Sequence, residues 1–180
     1  MFCFHALESR AQSTSARQHM DQIRYFKNVM ASFPTGVTVV TSRLNGDVAG
    51  LTVNSFMSVS LDPLLIVISI SRTSTTHEVI RQAGKYTVSI LAEGQSGVST
   101  IFAGAPSRER FTCVPTFESP MGHPVVEGAV AYIDGEVVNA HDEGDHTLFI
   151  AKVTDMNILH PDAKPLAYHR SRYQRLADTE

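Results

Sequence analysis

The chain has 180 residues, of which 43% are hydrophobic, and this length and composition suit one domain with a full core. Lysine and arginine total 15 against 18 aspartates and glutamates, and a net charge of -3 without a long basic run argues against nucleic acid as a partner. No apolar run approaches the roughly 20 residues of a membrane span, and the polar N-terminus lacks the apolar core of a signal peptide, so we expect a cytoplasmic protein.

The first 19 residues differ in composition from the remainder. Their central stretch, SRAQSTSARQ, is rich in Ser, Gln and Arg and lacks periodic apolar residues, so we expect a flexible arm ahead of a domain over residues 20–180. Cys3 lies in the arm and Cys113 in the domain, which predicts neither a disulfide framework nor a four-thiolate metal site. Both are predicted to be free thiols.

The domain begins with a predicted amphipathic helix. Apolar residues recur at spacings of three and four from Ile23 to Phe33, Asp21 can cap the start, and Pro34 ends the run. The stretch GVTVVTS then alternates as a strand, and Asn45-Gly46 predicts a two-residue hairpin to the strand VAGLTVNS.

The next segments predict strands separated by short helices. LLIVISI is apolar on both faces and is predicted to be a central strand buried on both sides. THEVIRQAG predicts a short helix, capped by Thr75 or Thr76 and ended by Gly84, before the strand KYTVSIL. A second helix is predicted over residues 95–103, and four prolines in residues 104–128 predict a long surface excursion.

Two further strands, AVAYIDGEVVNA and HTLFIAKVTDMNIL, are separated by the turn-forming cluster HDEGD, and the tail PLAYHRSRYQRL carries two spaced tyrosines. About seven strands, joined mostly by hairpins or short helices, lack the regular alternation of strand and crossover helix. The pattern favours a mainly β fold with a few short helices, either an antiparallel barrel or a sandwich.

One predicted strand, within AGLTVNSFMSVSLDP, has a face of short hydrogen-bonding side chains. Because side chains alternate along a strand, Thr52, Asn54, Ser58 and Ser60 share one side. An edge strand with one face in solvent explains this pattern without a ligand. A ligand-binding wall is the alternative interpretation.

Several classes of site are not predicted because their sequence motifs are absent. No G-x-G and no G-x-x-x-x-G-K-[ST] occurs, so neither a Rossmann nor a P-loop nucleotide site is predicted. GQSGV lacks the G-x-S-x-G spacing of a nucleophile elbow, which argues against a serine hydrolase. His141, Asp142, Asp145 and His146 form a dense cluster of possible ligands, but no zinc motif matches their spacing, and a solvated turn explains them without a metal.

A candidate phosphate site lies in the stretch SRTSTTH. It places the cationic Arg72 among hydroxyls, Ser74 and Thr75 included, just before a predicted helix. Free backbone N–H groups and the helix dipole favour a phosphate at such a point. An ordinary Ser/Thr-rich helix cap explains the same residues.

The motifs FPTGVTVVTS, GLTVNSFMSVSLDP, GKYTVSILA, FAGAPSRERF, GDHTLFIAKV and PLAYHRSRY, in this order, resemble the flavin reductase family that supplies reduced flavin to two-component monooxygenases. The resemblance covers residues 26–176. It implies a split β-barrel of Greek-key antiparallel topology, assembled as a homodimer that binds FMN or FAD at the dimer interface. It also implies NADH or NADPH as the reductant and a flavin-dependent monooxygenase that receives reduced flavin by diffusion.

The same resemblance makes the polar strand face the wall on which the isoalloxazine ring and the ribityl phosphate lie. It places His146, in GDHT, next to the nicotinamide, where it orients the dinucleotide. Turn capping is the alternative for His146, and plain core packing is the alternative for Phe111. The flavin or nicotinamide contacts that the resemblance implies, with the phosphate candidates, are Pro34, Thr35, Gly36, Thr52, Val53, Asn54, Ser55, Ser58, Val59, Ser60, Arg72, Ser74, Thr75, Ala83, Gly84, Arg110, Phe111, His146 and Tyr173.

The reaction that the resemblance implies is hydride transfer from nicotinamide C4 to flavin N5. The protein would stack the two rings at close range and would need no general acid or base. Two other classes stay open, namely a non-catalytic flavin-binding protein of the same barrel and a reductase of the same fold with another acceptor, such as a cobalt corrinoid. NADH oxidation with added flavin separates binding from catalysis.

Overall fold

The computed structural model describes residues 4–177, with the backbone alone for residues 4–16, 107 and 108. The described chain forms two compact units, one ending at Pro34 and including His169–Arg172, the other comprising Thr35–Tyr168 and the residues from Tyr173 on. No described helix combines the length and the apolar character that crossing a membrane requires. Cys3, the first residues of the predicted arm and the last three of the predicted domain lie outside the described residues.

The first unit is built on one long helix, α1, spanning Phe4–Met30. The predicted helix is confirmed, but its predicted start at Asp21 is wrong. No glycine or proline occurs before Pro34, and Ala, Gln and Arg in the Ser-rich stretch are good helix formers, so nothing local ends the helix earlier. Its side chains from Arg17 to Met30 are exposed, including the predicted apolar face. The division into an arm and a domain stays a prediction.

The other elements follow in a largely antiparallel arrangement. The strands are β1 Thr35–Gly36, β2 Thr38–Leu44, β3 Asp47–Val53, β4 Phe56–Leu61, β5 Leu64–Ser71, β6 Lys85–Ile90, β7 Thr116–Glu118, β8 Pro124–Val126, β9 Ala131–Glu143, β10 His146–Ile158, β11 Ala167–His169 and β12 Arg172–Gln174. The helices are α2 Thr75–Ala83, α3 Ser96–Gly104 and α4 Ser107–Cys113, with a 3₁₀ turn at Glu93–Gln95.

Seven strands of the described chain form one sheet in the order β3-β2-β6-β9-β10-β5-β4. Strands β3 and β4 are therefore at opposite edges although they follow each other in sequence. The edges of a flat sheet of this size would lie about 29 Å apart, at roughly 4.8 Å between strands. Only Asn54 and Ser55 separate Val53 from Phe56, a connection that spans about 11 Å at most. The sheet must curl into a barrel that is split between β3 and β4.

The split between β3 and β4 shows that one predicted strand is wrong, whereas the strand order confirms the predicted fold class. The stretch from Thr52 to Ser60 is not one strand, since it leaves one edge of the barrel after Val53 and enters the other at Phe56. The period-two pattern continues through the connection and so hides it. A register shift between Ser58 and Ser60 interrupts the alternation again within β4. The mainly β antiparallel fold is confirmed.

The predicted turns are largely confirmed. Asn45 (φ 51°) and Gly46 (φ 93°) form the tight turn between β2 and β3, where positive φ favours Asn-Gly. Helix α2 ends at Gly84, whose φ of 67° is the left-handed conformation of a C-terminal cap. Its N-terminal cap is Ser74 rather than Thr75 or Thr76, because the Ser74 hydroxyl accepts from the Thr76 N–H at 3.2 Å.

The strand LLIVISI, now β5, differs from its prediction. It lies between β4 and β10, second from an edge, and it is buried on one face only. Ile66, Ile68 and Ile70 enter one of the two hydrophobic cores, whereas Ser69 and Ser71 on the other face are partly exposed. Its outer face is therefore available for polar contacts.

The predicted helix near residues 95–103 is confirmed as α3, but the surface excursion after it is wrong in part. Helix α4 and the β7–β8 hairpin occupy this segment. His123, Val125 and Val126 are buried there, and Val126 packs into the second core with Leu91.

Candidate functional site

A cavity of about 210 Å³ lies beside the split, between the end of β3 and helix α3. Its lining combines aliphatic, hydroxyl, amide and phenol groups. The lining residues are Val37, Thr52, Asn54, Ser99, Ala103, Tyr168 and Tyr173. The structure thus brings together three of the residues expected to bind flavin, namely Thr52, Asn54 and Tyr173, from β3, the β3–β4 connection and β12.

Hydrogen bonds fix the polar wall of this cavity. The Thr52 hydroxyl donates to the Ser99 carbonyl oxygen at 2.6 Å, and the Tyr173 hydroxyl donates to Ser99 Oγ at 2.9 Å. The rings of Tyr168 and Tyr173 lie 5.5 Å apart, tilted by 59°. Both rings are therefore held by neighbours before any ligand binds, which lowers the entropic cost of binding.

Two polar groups near the cavity have no hydrogen-bond partner in the described part of the chain. Asn54 is exposed, and its amide makes no hydrogen bond within the described part of the chain. Thr35 Oγ1 is buried without a partner among the described residues. Thr35 is opposite Tyr168 in the β1–β11 pair, so its side chain lies on the cavity side. Free amide and hydroxyl groups beside aromatic walls fit a flat heteroaromatic ring edged with carbonyls and nitrogens.

Residues joined by hydrogen bonds and strand pairing lead from the cavity to the far end of β5. Ser55, next to Asn54, donates its hydroxyl to the Ser69 carbonyl at 2.8 Å and accepts from the Ser69 N–H at 3.2 Å. Ser71 follows on the same face of β5 about 7 Å further along, at roughly 3.3 Å per residue. Ser71 is paired with His146 on β10. The site is therefore elongated, with the cavity at one end and His146 at the other.

The Arg72 loop lies at this second end. The Arg72 N–H donates to the Asp145 carbonyl at 3.0 Å, and Ser71 Oγ and Thr73 Oγ1 are hydrogen-bonded at 3.0 Å. Arg72 is exposed and forms no ion pair with another described residue. Since the Ser74 hydroxyl is already used as a helix cap, the groups left for an anion are those of Arg72 and Thr75.

The side chain of His146 is 43% exposed, and its Nδ1 lies 2.7 Å from Asp145 Oδ1. Because a carboxylate only accepts hydrogen bonds, Nδ1 carries the proton in the neutral ring. Nε2 is then the acceptor that a ligand can reach. His146 thus combines exposure with a ring whose orientation is set by its neighbour.

Other residues expected from the resemblance are not among those that line the cavity. Ala83 and Gly84 are at the opposite end of α2 from Ser74, a distance of about 13 Å at 1.5 Å per helical residue. The Val53 side chain is buried in the core. Pro34 belongs to the first unit, while Gly36 is paired with Ala167 in the second. Ser58, Val59 and Ser60 lie on the edge strand β4.

Arg110 and Phe111 have structural partners. Arg110 Nε donates to the Ala105 carbonyl at 2.8 Å, and its guanidinium also donates to the Gly50 carbonyl. Phe111 packs edge-on against Phe102 with ring centroids 5.3 Å apart. These contacts bind helix α4 to β3 and α3, which supports core packing for Phe111.

Sequence reasoning missed four of the residues that line the cavity, namely Val37, Ser99, Ala103 and Tyr168. Ser99 lies on α3 and supplies two hydrogen-bond acceptors to the wall, but a serine within a short helix gives no signal of this role. Tyr168 belongs to the stretch PLAYHRSRY, whose paired tyrosines were the available signal. Their shared cavity is visible only after β11 and β12 are placed.

The comparisons with known proteins all lead to flavin reductases. The model of the flavin reductase like domain matches residues 30–177. The reductase component of the flavin-dependent trigonelline monooxygenase of Acinetobacter baylyi is 39% identical over 86% of the chain. The chain spans only 49%, about half, of the length of that relative.

Two solved structures are similar over most of the chain. The flavin reductase PheA2 in its native state is 44% identical, with a TM-score of 0.79 over 86% of this chain and 98% of that one. The Streptomyces globisporus NADH:FAD oxidoreductase SgcE6, in complex with NAD and FAD fragments, is 31% identical, with a TM-score of 0.82 over 88% of this chain and 94% of that one.

Proposed function

Because the chain belongs to the flavin reductase like domain family, we propose that it is an oxidoreductase that transfers hydride from NADH to FMN or FAD. The observation that carries the proposal is the row of neighbouring residues, Ser55, Ser69 and Ser71, that leads from the cavity at Asn54 to His146. One end suits a flat ring and the other suits a nucleotide, as a reaction between two stacked cofactors requires.

Residues at the cavity end would hold the isoalloxazine ring. The free amide of Asn54 and the hydroxyl of Thr35 can bond to the ring's carbonyls and nitrogens, and Tyr168 and Tyr173 offer aromatic surface. The flavin supplies the two-electron acceptor chemistry when it is bound. Short side chains at Thr52 and Ser55 leave space for a planar group.

Residues at the other end would bind phosphate and nicotinamide. Arg72 is an exposed cation without a carboxylate partner in the described chain, and it precedes the N-terminus of α2. His146 Nε2 can accept a hydrogen bond from the carboxamide N–H of the nicotinamide. The chain's part in the reaction is then to align the two rings and exclude water, without moving a proton itself.

We include a homodimer in the proposal because apolar side chains are exposed on the edge strand β4. Leu61 is 84% exposed and Met57 is 60% exposed. A long exposed edge with apolar side chains is an aggregation hazard unless it is covered. A second copy of the chain would cover it beside the flavin site. A monomeric mass with full reductase activity would contradict this assembly.

The proposed partner is a flavin-dependent monooxygenase that receives reduced flavin by diffusion. The name of the Acinetobacter relative, a monooxygenase reductase component, supports it. We also place the protein in the cytoplasm in this proposal, since reduced nicotinamide nucleotide is an intracellular reductant.

Anaerobic rapid mixing of the purified protein with NADH and FMN, FAD or riboflavin tests the proposal. We expect flavin bleaching at a rate far above the reaction of NADH with flavin alone, and faster with NADH than with NADPH. A rate equal to the protein-free control with all three flavins would contradict catalysis. Flavin binding without that acceleration would identify a non-catalytic binding protein.

A further inference from the structure

The turn that carries His146 is attached to helix α2 by side chains that the proposed reaction does not use. His146 begins β10, directly after the β9–β10 turn, where Gly144 has a φ of 60°. A turn at the end of two long strands has few core contacts of its own, and its position depends on what it bonds to. Its neighbours therefore decide where the His146 ring lies.

Four side chains form one hydrogen-bonded chain between the helix and the turn. Arg81 Nη2 donates to Asp142 Oδ1, and Thr147 Oγ1 donates to the same oxygen at 2.7 Å. His77 Nε2 lies 2.8 Å from Thr147 Oγ1. His77 and Arg81 are one turn apart on α2, whereas Asp142 and Thr147 are opposite each other on β9 and β10. We name these four residues the α2–hairpin network.

Proton counting fixes the direction of every bond in the network. The Thr147 hydroxyl has one hydrogen, and Asp142 takes it, since an ionised carboxylate only accepts. His77 must then be the donor to Thr147, with its proton on Nε2. Burial lowers the pKa of His77, and the Thr147 hydroxyl holds the pKa of Asp142 below its usual value. At neutral pH both groups are in the states that the network needs.

The buried part of the network, His77 and Thr147, should contribute more to stability than the exposed part, Arg81 and Asp142. Arg81 and Asp142 are 42% and 44% exposed, and exposed ion pairs contribute little stability. His77 is only 5% exposed, and its ring packs against that of Phe149 with the ring centroids 5.2 Å apart. A buried donor that loses its acceptor costs more than a surface pair. Thr147, which bonds to both His77 and Asp142, is therefore the residue on which the network depends.

We propose that the α2–hairpin network positions His146 against the Arg72 loop, with Thr147 and Asp142 acting as positioning residues for nicotinamide nucleotide binding. The network holds the strands on either side of the turn to the helix whose start follows Arg72. The Arg72 N–H bond to the Asp145 carbonyl is the contact it would keep in place. The inference rests on the proposed function for its kinetic consequence, but not for its structural one.

Two matched substitutions of Thr147 and one of Asp142 test the inference. Thr147→Val keeps the shape and removes the hydroxyl, Thr147→Ser keeps the hydroxyl, and Asp142→Asn removes the charge at an exposed position that tolerates change. We expect Thr147→Val to raise the Michaelis constant for NADH about five- to tenfold, with kcat and flavin affinity within about twofold, and Asp142→Asn, which keeps an acceptor oxygen at an exposed position, to raise it by a smaller factor. Thr147→Ser should restore wild-type values.

Hydrogen exchange of the Arg72 amide gives a readout that needs no activity. Loss of the network should speed its exchange about tenfold in Thr147→Val and by a smaller factor in Asp142→Asn, with recovery in Thr147→Ser. Glu118→Gln is the control. It removes the carboxylate of Glu118, on the β7–β8 hairpin, from a 2.8 Å ion pair with Arg43 on β2.

The two readouts separate the possible failures. Unchanged Arg72 exchange in both network variants would overturn the inference, as would an equal increase in Glu118→Gln. If the wild type oxidises no NADH with any flavin, the proposed function fails while the exchange result still decides the inference. If the wild type is active and the NADH constants of the variants do not move, the positioning role is overturned and the proposed function stands.

Discussion

The Tyr173 hydroxyl donates to Ser99 Oγ at 2.9 Å and so ties β12 to helix α3 across the cavity wall. Ser99 is buried, and its backbone carbonyl also accepts from Thr52 on β3. One residue of a short helix therefore fixes both the aromatic and the strand side of the cavity. We therefore expect a change at any of these three residues to disturb both sides of the wall.

Tyr173→Phe should weaken flavin binding by loosening this wall. The ring stays, but its hydrogen bond to Ser99 is lost, and a net hydrogen bond corresponds to an affinity change of about five- to tenfold. Fluorescence titration of FMN measures the loss. Tyr25→Phe, a change at an exposed tyrosine of α1, is the control and should leave affinity unchanged. Equal affinity of Tyr173→Phe and the wild type would separate Tyr173 from the flavin site.

Removing the charge of Arg72 should affect phosphorylated flavin selectively. Arg72→Gln is expected to weaken FMN about tenfold or more, because charge-assisted hydrogen bonds are the stronger ones, and to leave riboflavin, which lacks the phosphate, nearly unaffected. Arg24→Gln, on the exposed surface of α1, is the matched control. If FMN and riboflavin lose affinity equally, the phosphate lies elsewhere and the stretch before α2 is a helix cap alone.

His146 and Asn54 should show opposite patterns, because they lie at the two ends of the site. His146→Ala is expected to raise the Michaelis constant for NADH or to slow hydride transfer, while flavin affinity stays near the wild-type value. Asn54→Ala should weaken flavin directly by removing a free amide. Flavin titration beside single-turnover reduction measures both. The assignment is wrong if His146→Ala loses flavin and Asn54→Ala keeps it.

Acid should destabilise the fold through His123. This residue is 1% exposed, its Nδ1 lies 3.2 Å from Thr87 Oγ1, and burial lowers its pKa to about 4. Thr87 gives its hydrogen to Asp134, so His123 Nδ1 is the donor and Nε2 is left without a partner among the described residues. Protonation would bury an unpaired N–H and a charge.

The direction of the change in stability follows from proton binding to His123 in the folded and the unfolded state. The unfolded chain, with a histidine pKa near 6.5, binds the proton first as the pH falls, so the stabilisation is complete above about pH 6.5 and is lost towards pH 4. The loss from this group is of the order of 3 kcal/mol between pH 7 and pH 4. His123→Asn keeps a donor towards Thr87 and should flatten the pH dependence in urea unfolding. His141→Asn, at an exposed position, should not; a slope unchanged by His123→Asn would contradict the role.

Local signals in the sequence were enough for some elements of the fold. Asn45-Gly46 and Gly84 are required by positive φ, so their turn and cap could be read directly. The long helix was underestimated, since periodicity reports an apolar face and the Ser-rich segment of α1 lacks one. The two edge strands were merged into one because alternation does not register a change of partner. Strand pairing is a long-range property, and Asn54-Ser55 lacks the Gly or Pro that most strongly marks a turn.

The site was predictable where it follows the chain and hidden where it depends on packing. Thr52, Asn54 and His146 lie in contiguous motifs that the resemblance covers. Ser99 and the α2–hairpin network bring together residues that are distant in sequence, and their roles depend on helices whose docking no local pattern encodes. For Ser74 the sequence pattern fitted two roles, a helix cap and an anion site, and only the structure shows the helix cap.

The order of strands in the barrel also dictates when the barrel can close during synthesis. The hairpins β2–β3 and β4–β5 are made first, yet β6, β9 and β10, which separate them in the sheet, come later in the chain. The β2–β3 hairpin can pair with β6 soon after it is made, but the β4–β5 hairpin cannot join the sheet until β10, which ends at Ile158, has left the ribosome. Non-local pairing of this kind folds slowly and exposes strand edges meanwhile. We therefore expect the nascent chain to be most prone to aggregation through exposed strand edges before β10 is made.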